Sequence, residues 1–343
     1  MAYVRAQSAR GRGHQRATSI AKHQERLDDL RRLADRIDGL QATANGPWFA
    51  PPRPIRPTRQ RERWLYPSST VQDVVWPSDY HAFLPEADQR YRKHRDNLQG
   101  AARLWLHSKP GPVAVLVHGY MGGTYRLEER AWPVRWLHGL GLDVALFVLP
   151  WHGVRAIRGR RRPPPFPSRD PRITNEGLRH AIGDLRDLTG WLHDRGHPSV
   201  GVMGMSLGAY TAALAATVMP ELAFAVPIIP LASLADFARA QGRFDSDPAE
   251  ASSEHQALDR VHRIVSPLHR SPVLPGERMM VIAGRSDQVT PLTHAERLAA
   301  HFGAPMISWP GGHLIQLGRM ACFRAARELL TKLAVLPEEA SSP

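Results

Sequence analysis

From about residue 100 onward, short apolar runs alternate with stretches whose apolar residues recur every three or four positions. The runs are 101–107 (AARLWLH), 113–118 (VAVLVH), 143–149 (DVALFVL), 199–204 (SVGVMG), 223–229 (AFAVPII), 278–283 (RMMVIA) and 305–309 (PMISW). Each has strand length and is apolar at nearly every position, the pattern of a strand buried on both faces. Helical periodicity fills 124–139, 173–195, 207–218, 291–302 and 314–335. Strands joined by helices predict an α/β fold, a mainly parallel twisted sheet with helices on both faces. Such sheets carry their chemistry in loops beyond the carboxyl ends of the strands.

Ahead of this region, Leu27, Leu30, Leu33, Ile37 and Leu40 mark an amphipathic helix over 19–41, with Ser19 as its cap and Asn45-Gly46-Pro47 as its stop. Residues 47–63 (PWFAPPRPIRPTRQRER) are too proline-rich for helix or sheet and are expected to run extended, as a linker or an arm over the main body. The expected division is a basic helix and Pro/Arg-rich arm over 1–65 and one main domain over 66–343. Residues 231–277 are polar, weakly helical and fall between two strands, so they are expected to sit outside the sheet as a lid.

Charge sharpens the contrast between body and appendages. The chain has 45 Lys and Arg against 32 Asp and Glu, a net charge of +13. Residues 1–65 hold 14 basic and 6 acidic side chains and residues 155–172 hold 7 and 1, so these two segments account for the whole excess. A contact of the basic arm with an anionic membrane surface follows as a candidate interaction. No aromatic interleaving or nucleic-acid motif accompanies the arginines, so nucleic acid is not an expected partner. The single cysteine, Cys322, excludes an intramolecular disulfide and a cysteine-rich metal site. The longest apolar stretch, 223–235, is broken by Pro227 and Pro230 and is shorter than the roughly 20 residues that span a bilayer. The opening MAYVRAQSARGRGHQ lacks the apolar core of a secretory signal, which makes a cytoplasmic location the expectation.

Three strand ends carry candidate chemistry. After 199–204 comes Gly204-Met205-Ser206-Leu207-Gly208 and then a small-residue helix. A strand-to-helix turn this tight leaves no room for flanking side chains and holds the serine exposed and strained beside a helix amino end. After 113–118 comes His118-Gly119-Tyr120-Met121-Gly122-Gly123, whose glycines let backbone N–H groups turn toward an anion. The N–H groups of Tyr120 and Leu207 are the expected oxyanion hole, with Met121 as the fallback for the first donor. His118 reads as a residue that stabilises its loop and not as a proton carrier. His294 and His301 lie on a predicted helix and are expected at the surface, and Cys322 is expected as a small buried apolar group.

The order of His-Gly loop, elbow serine, acid and late histidine resembles the α/β-hydrolase superfamily over roughly residues 100–335. The turn Pro150-Trp151-His152-Gly153 resembles one common after this strand in the same superfamily. The resemblance implies an acid after a late strand and a histidine after the last, which points to Asp287 in Gly284-Arg285-Ser286-Asp287 and to His313 in Gly311-Gly312-His313. Asp236, after the preceding strand, is the alternative acid. The implied activity is that of a serine esterase or lipase-like hydrolase without metal or organic cofactor, acting on a carboxylic ester or related acyl bond through an acyl-enzyme on Ser206. The Leu, Phe and Val content of 225–240 hints at an apolar acyl pocket. The alternatives are a catalytically weak binding protein on this scaffold, or an acyl or lipid hydrolase drawn to anionic surfaces by its arginines.

Overall fold

The computed structural model describes residues 20–42, 48–66, 69–157, 159, 163–244 and 247–338. Within them lie strands β1 (Arg59–Tyr66), β2 (Ser69–Pro77), β3 (Gln99–His107), β4 (Val113–Val117), β5 (Asp143–Phe147), β6 (Val200–Met205), β7 (Ala225–Ile228), β8 (Val281–Gly284) and β9 (Met306–Trp309). They form one sheet in the order β1-β2-β3-β5-β4-β6-β7-β8-β9. The run from β5 to β9 is parallel, and β1, β2 and β3 extend it as an antiparallel meander. The helices are α1 (Ile20–Ala42), α2 (Pro85–Arg92), α3 (Tyr125–Ala131), α4 (Val134–Gly139), α5 (Pro171–Asp194), α6 (Leu207–Ala215), α7 (Leu234–Ala240), α8 (Pro248–His262), α9 (Leu292–Phe302) and α10 (Met320–Lys332). Among the described residues, no helix is long and apolar enough to cross a membrane.

Strand β4 makes the layering explicit. Val113, Val115 and Val117 join the core that includes residues of α5, α6 and α9, while Ala114 and Leu116 join the core that includes residues of α4 and α10. Side chains that alternate across a sheet must find cover on both sides, which is why every position of this strand is apolar. Each such aliphatic side chain contributes about 1.5–3 kcal/mol on burial. The seven apolar runs of the sequence all coincide with strands.

Four features differ from the sequence expectation. Residues 59–63 were expected outside the sheet, yet they begin edge strand β1, because the prolines end at Pro57 and the following backbone is free to pair with β2. The meander β1–β2 as a whole carries too many charged residues to read as apolar runs. The helix expected over 124–139 is two, α3 and α4, divided at Trp132-Pro133. The last helix begins at Met320 and not at residue 314, so the loop after His313 is longer.

Helix α1 buries Leu27, Leu30, Leu33, Ala34 and Ile37 and packs along α8 of the insertion between β7 and β8. Its outer acids pair with the body: Asp29 with Arg172 at 2.6 Å, and Asp38 and Asp35 with Arg260 at 2.6 and 2.9 Å. The expected cap Ser19 and the stop at Asn45-Gly46-Pro47 lie outside the described residues, as do Arg158 and Arg160, Arg161 and Arg162 of the arginine-rich loop. The arm that follows buries Trp48 and Ile55. Arg53 donates from its backbone N–H to Asp187 at 2.7 Å, and burial lifts that carboxyl to about 6 despite the Arg53 charge.

Between the end of β2 and α5 lies a buried polar knot. Ser78 Oγ is 2.6 Å from Nε2 of His180 and also bonds Asp184, and Arg155 meets Asp184 at 2.7 Å. Ser78, Arg155, His180 and Asp184 are all buried. Burial drives the His180 ring down to about 4, against the pull of Asp184, so the imidazole is neutral near pH 7.

Candidate active site

The turn from β6 into α6 is strained at one residue. Ser206 has φ 55° and ψ −112°, a region that costs a non-glycine residue about 1–3 kcal/mol. The flanking glycines explain how the turn closes. A Cβ on Gly204 would stand 2.0 Å from the carbonyl oxygen of Gly208, and one on Gly208 would stand 2.0 Å from that of Val117. The serine N–H donates to the Ile228 carbonyl at 3.0 Å, tying the turn to β7. Ser206 is left half-buried with Leu207 as the first residue of α6, whose N–H has no preceding turn to pair with.

The loop after β4 lies against this turn, because a Cβ on Gly119 would be 3.4 Å from Cβ of Ser206. Two side chains shape the loop. His118 is buried with Nδ1 bonded to the Gly119 carbonyl at 2.8 Å, and Nε2 accepts the Leu149 N–H at 3.0 Å, so the ring ties the loop to the end of β5. Burial, with His152 nearby, takes its pKa down to about 3. Glu128 of α3 accepts the Gly123 N–H at 2.8 Å, and burial raises its carboxyl. Tyr120 and Met121 stand outward from this loop, and Met121 takes φ 70°.

Loops after β8 and β9 bring Asp287 and His313 to the same place. His313 Nε2 is 3.0 Å from Ser206 Oγ, and its Nδ1 is 2.7 Å from Asp287 Oδ2. Asp287 is buried, and its other oxygen accepts the N–H groups of Val289 and Thr290 at 2.8 and 2.9 Å. Burial raises this carboxyl, but the His313 bond and charge and the two amides outweigh it, so it stays below the ordinary aspartate value. Thr290, absent from the sequence reading, donates to Asp287 Oδ2 at 3.0 Å. Its signal is local: an aspartate followed three residues on by threonine, just before the Pro291 that opens α9, is a side-chain-closed turn.

The other candidates lie apart from this group. Asp236 on α7 binds His255 at 2.6 Å and pairs with Arg297. His294 was expected at the surface, but it is buried, because its Nδ1 accepts the Ala232 N–H at 3.2 Å and so fixes the segment after β7. His301 is half-buried against the Arg270 carbonyl. Cys322 is buried in α10, where burial raises its thiol. Of the stretch expected to hint at an acyl pocket, Leu231, Leu234 and Ala235 are buried in the core. One group of potential metal ligands occurs among the described residues, His107, His138 and Asp143, at the opposite end of the sheet. Asp143 there already accepts from His107 and from the Gly111 N–H, each at 2.9 Å, and the His138 ring meets Leu142 and Ser69.

The sheet order, the elbow after β6, the insertion after β7 and the two late loops define the α/β-hydrolase fold. Acetyl xylan esterase 1 from Thermoanaerobacterium sp. JW/SL YS485 has a TM-score of 0.57 at 15% identity, over 90% of this chain and 93% of its own. Acetyl xylan esterase from Paenibacillus sp. R4 has a TM-score of 0.55 at 16% identity, over 88% and 92%. At such identities the likeness is one of fold. No protein-family model matches the chain. The uncharacterized proteins Rv2627c and MT2702, from two strains of Mycobacterium tuberculosis, are each 32% identical to it over 296 residues, 80% of this chain and 69% of theirs. The chain belongs to the family of these mycobacterial proteins and has the α/β-hydrolase fold.

Proposed function

We propose that the protein is a serine hydrolase that cleaves a carboxylic ester or related acyl bond through an acyl-enzyme on Ser206. The observation that carries this reading is the unbroken line from Ser206 Oγ through the His313 ring to the Asp287 carboxylate, with contacts of 3.0 and 2.7 Å. His313, as neutral imidazole, takes the serine proton while Oγ attacks the acyl carbon, and returns that proton to the leaving alcohol. Water then repeats the sequence on the acyl-enzyme. Asp287 keeps the ring in the Nδ1–H tautomer and stabilises the imidazolium. The N–H groups of Leu207 and of Tyr120, or Met121 in its place, receive the oxyanion, each worth about 3–4 kcal/mol of barrier.

An apolar acyl group is favoured by the exposed side chains on the loops that carry His313 and the candidate oxyanion donors. Leu314, Ile315 and Leu317 directly after His313 are 61%, 72% and 82% exposed, and Tyr120 and Met121 are 40% and 45% exposed. Side chains of this kind left in water are a reason to look for an apolar ligand. The two esterases of the same fold are named for acetyl xylan, so acetyl esters belong in the substrate panel beside longer acyl esters. A fluorophosphonate probe is expected to label the wild type and not Ser206→Ala; equal labelling of both removes the reading. Within an ester series of graded acyl length, an optimum beyond acetyl is expected, and best turnover of acetyl esters would remove the apolar acyl group alone.

A further inference from the structure

The loop that carries His313 has little apolar anchorage. It runs from Gly311-Gly312 to Gly318, which takes φ 79°, so glycine leaves the backbone free at both ends. Its start is fixed where the Ser286 N–H donates to the Gly311 carbonyl at 3.1 Å. Beyond His313, Leu314, Ile315 and Leu317 are exposed and contribute little burial that would fix the loop against the core. The Gly312 N–H donates to the Ile315 carbonyl at 3.0 Å, which closes the turn on itself without tying it to the body.

The tie is polar and runs through two side chains. Gln316 Nε2 donates to the His313 carbonyl at 2.9 Å, and Gln316 Oε1 accepts from Nη1 of Arg319. The same guanidinium donates from Nη2 to the Ala131 carbonyl, lies 3.8 Å from Met205 Sδ and faces the Phe323 ring at 5.7 Å. These contacts reach different parts of the active site. Met205 directly precedes Ser206, and Ala131 ends α3, whose Glu128 holds Gly123 of the loop after β4. Arg319 is half-buried and forms no ion pair among the described residues, and burial lowers its pKa. A cation taken partly out of water without a carboxylate is costly, and a planar fork of donors offsets that cost by holding several acceptors at once. Here the fork joins the segments that must meet at Ser206.

We propose that Arg319, acting through Gln316, is a positioning residue that holds His313 at its 3.0 Å contact with Ser206 Oγ. The proposal rests on the serine-hydrolase reading, and both side chains act through the His313 backbone and not on substrate. Its test is the rate at which the fluorophosphonate probe inactivates the full chain, resolved into kinact and KI. The comparison is between the wild type, Arg319→Met, Gln316→Leu and the double variant. Misplacing a reacting group by about 1 Å can cost about 10²-fold, so each single variant is expected to lower kinact about 10- to 100-fold with KI within about two-fold. The double variant is expected to stay within about two-fold of Arg319→Met, because the two side chains form one link. A kinact for Gln316→Leu within about two-fold of the wild type, losses that multiply in the double variant, or a change in KI in place of kinact each overturns the proposal. Should Arg319→Met not fold, Gln316→Leu carries the test, because it leaves the guanidinium and its bond to Ala131 in place. Failure of the hydrolase reading looks different, since Ser206→Ala would then be labelled as the wild type is.

Discussion

Ser206, His313 and Asp287 at the ends of β6, β9 and β8 use the same three residue types as Ser78, His180 and Asp184 between β2 and α5. In the first group the serine and the carboxylate lie on opposite nitrogens of the ring, at 3.0 Å from Nε2 and 2.7 Å from Nδ1. In the second, Ser78 and Asp184 both face Nε2, at 2.6 and 3.2 Å, Arg155 points there too at 2.9 Å, and Nδ1 has no partner among the described residues. Ser206 is half-buried on a strained turn beside a glycine loop, whereas every member of the second group is buried. A proton relay therefore depends on the order of groups around the imidazole and on a path for substrate, and residue types alone do not define one. The second group reads as the anchor of the Arg155 charge.

The widest separation between the two groups is expected from their serines. Ser206→Ala should lower kcat/KM for the best ester by about five orders of magnitude with an unchanged Tm. Ser78→Ala should leave kcat/KM within about three-fold and cost about 1–3 kcal/mol of stability in urea. Comparable loss of turnover in both would erase the distinction drawn above. The acids separate next. Asp287→Asn should cost about 10³- to 10⁴-fold in kcat. Asp184→Asn should cost about 3–5 kcal/mol of stability, because it leaves Arg155 buried without its counter-charge.

The third effect is one of pH. Burial holds His152, His180 and His262 down to about 4 in the folded chain, from an ordinary value of 6.5. Between those values the unfolded chain takes up protons that the folded chain refuses, so their stabilising contribution is complete above pH 6.5 and is lost as pH falls toward 4. Each contributes on the order of 3 kcal/mol over that window. Urea midpoints measured at pH 7.5, 5.5 and 4.5 should fall steadily, and His180→Gln should flatten the decline. A flat profile in the wild type would show that these rings are not held neutral by the fold. The smallest effect belongs to Thr290→Val, which removes one bond to Asp287 and should lower kcat about ten-fold or less with little change in KM.

The two halves of the chain were not equally legible. The seven apolar runs read directly as strands because a strand covered on both faces must be apolar at nearly every position, and the Gly-x-Ser-x-Gly turn announced itself because only glycine leaves room for a carbonyl oxygen where a Cβ would stand 2.0 Å away. Strands β1 and β2 were not legible, since an edge meander with one wet face keeps charged residues such as Arg61, Glu62 and Asp73. His294 looked like a surface residue, since its burial depends on a loop 62 positions away. Glu128 and Thr290 belong to none of the three motifs, and their bearing on the site comes from which backbone amide and carboxylate oxygen they reach.

By itself, the sequence determined the layered α/β architecture, the turn that exposes Ser206, and three short motifs each confined to one strand end, because these depend on periodicity and on the steric limits of neighbouring residues. Only the tertiary structure decided that Asp287 and not Asp236 stands behind His313 and that Ser78 and His180 form a closed knot. Those relations join residues far apart in the chain, and distance across a fold is set by how strands are ordered and packed, which no local pattern encodes.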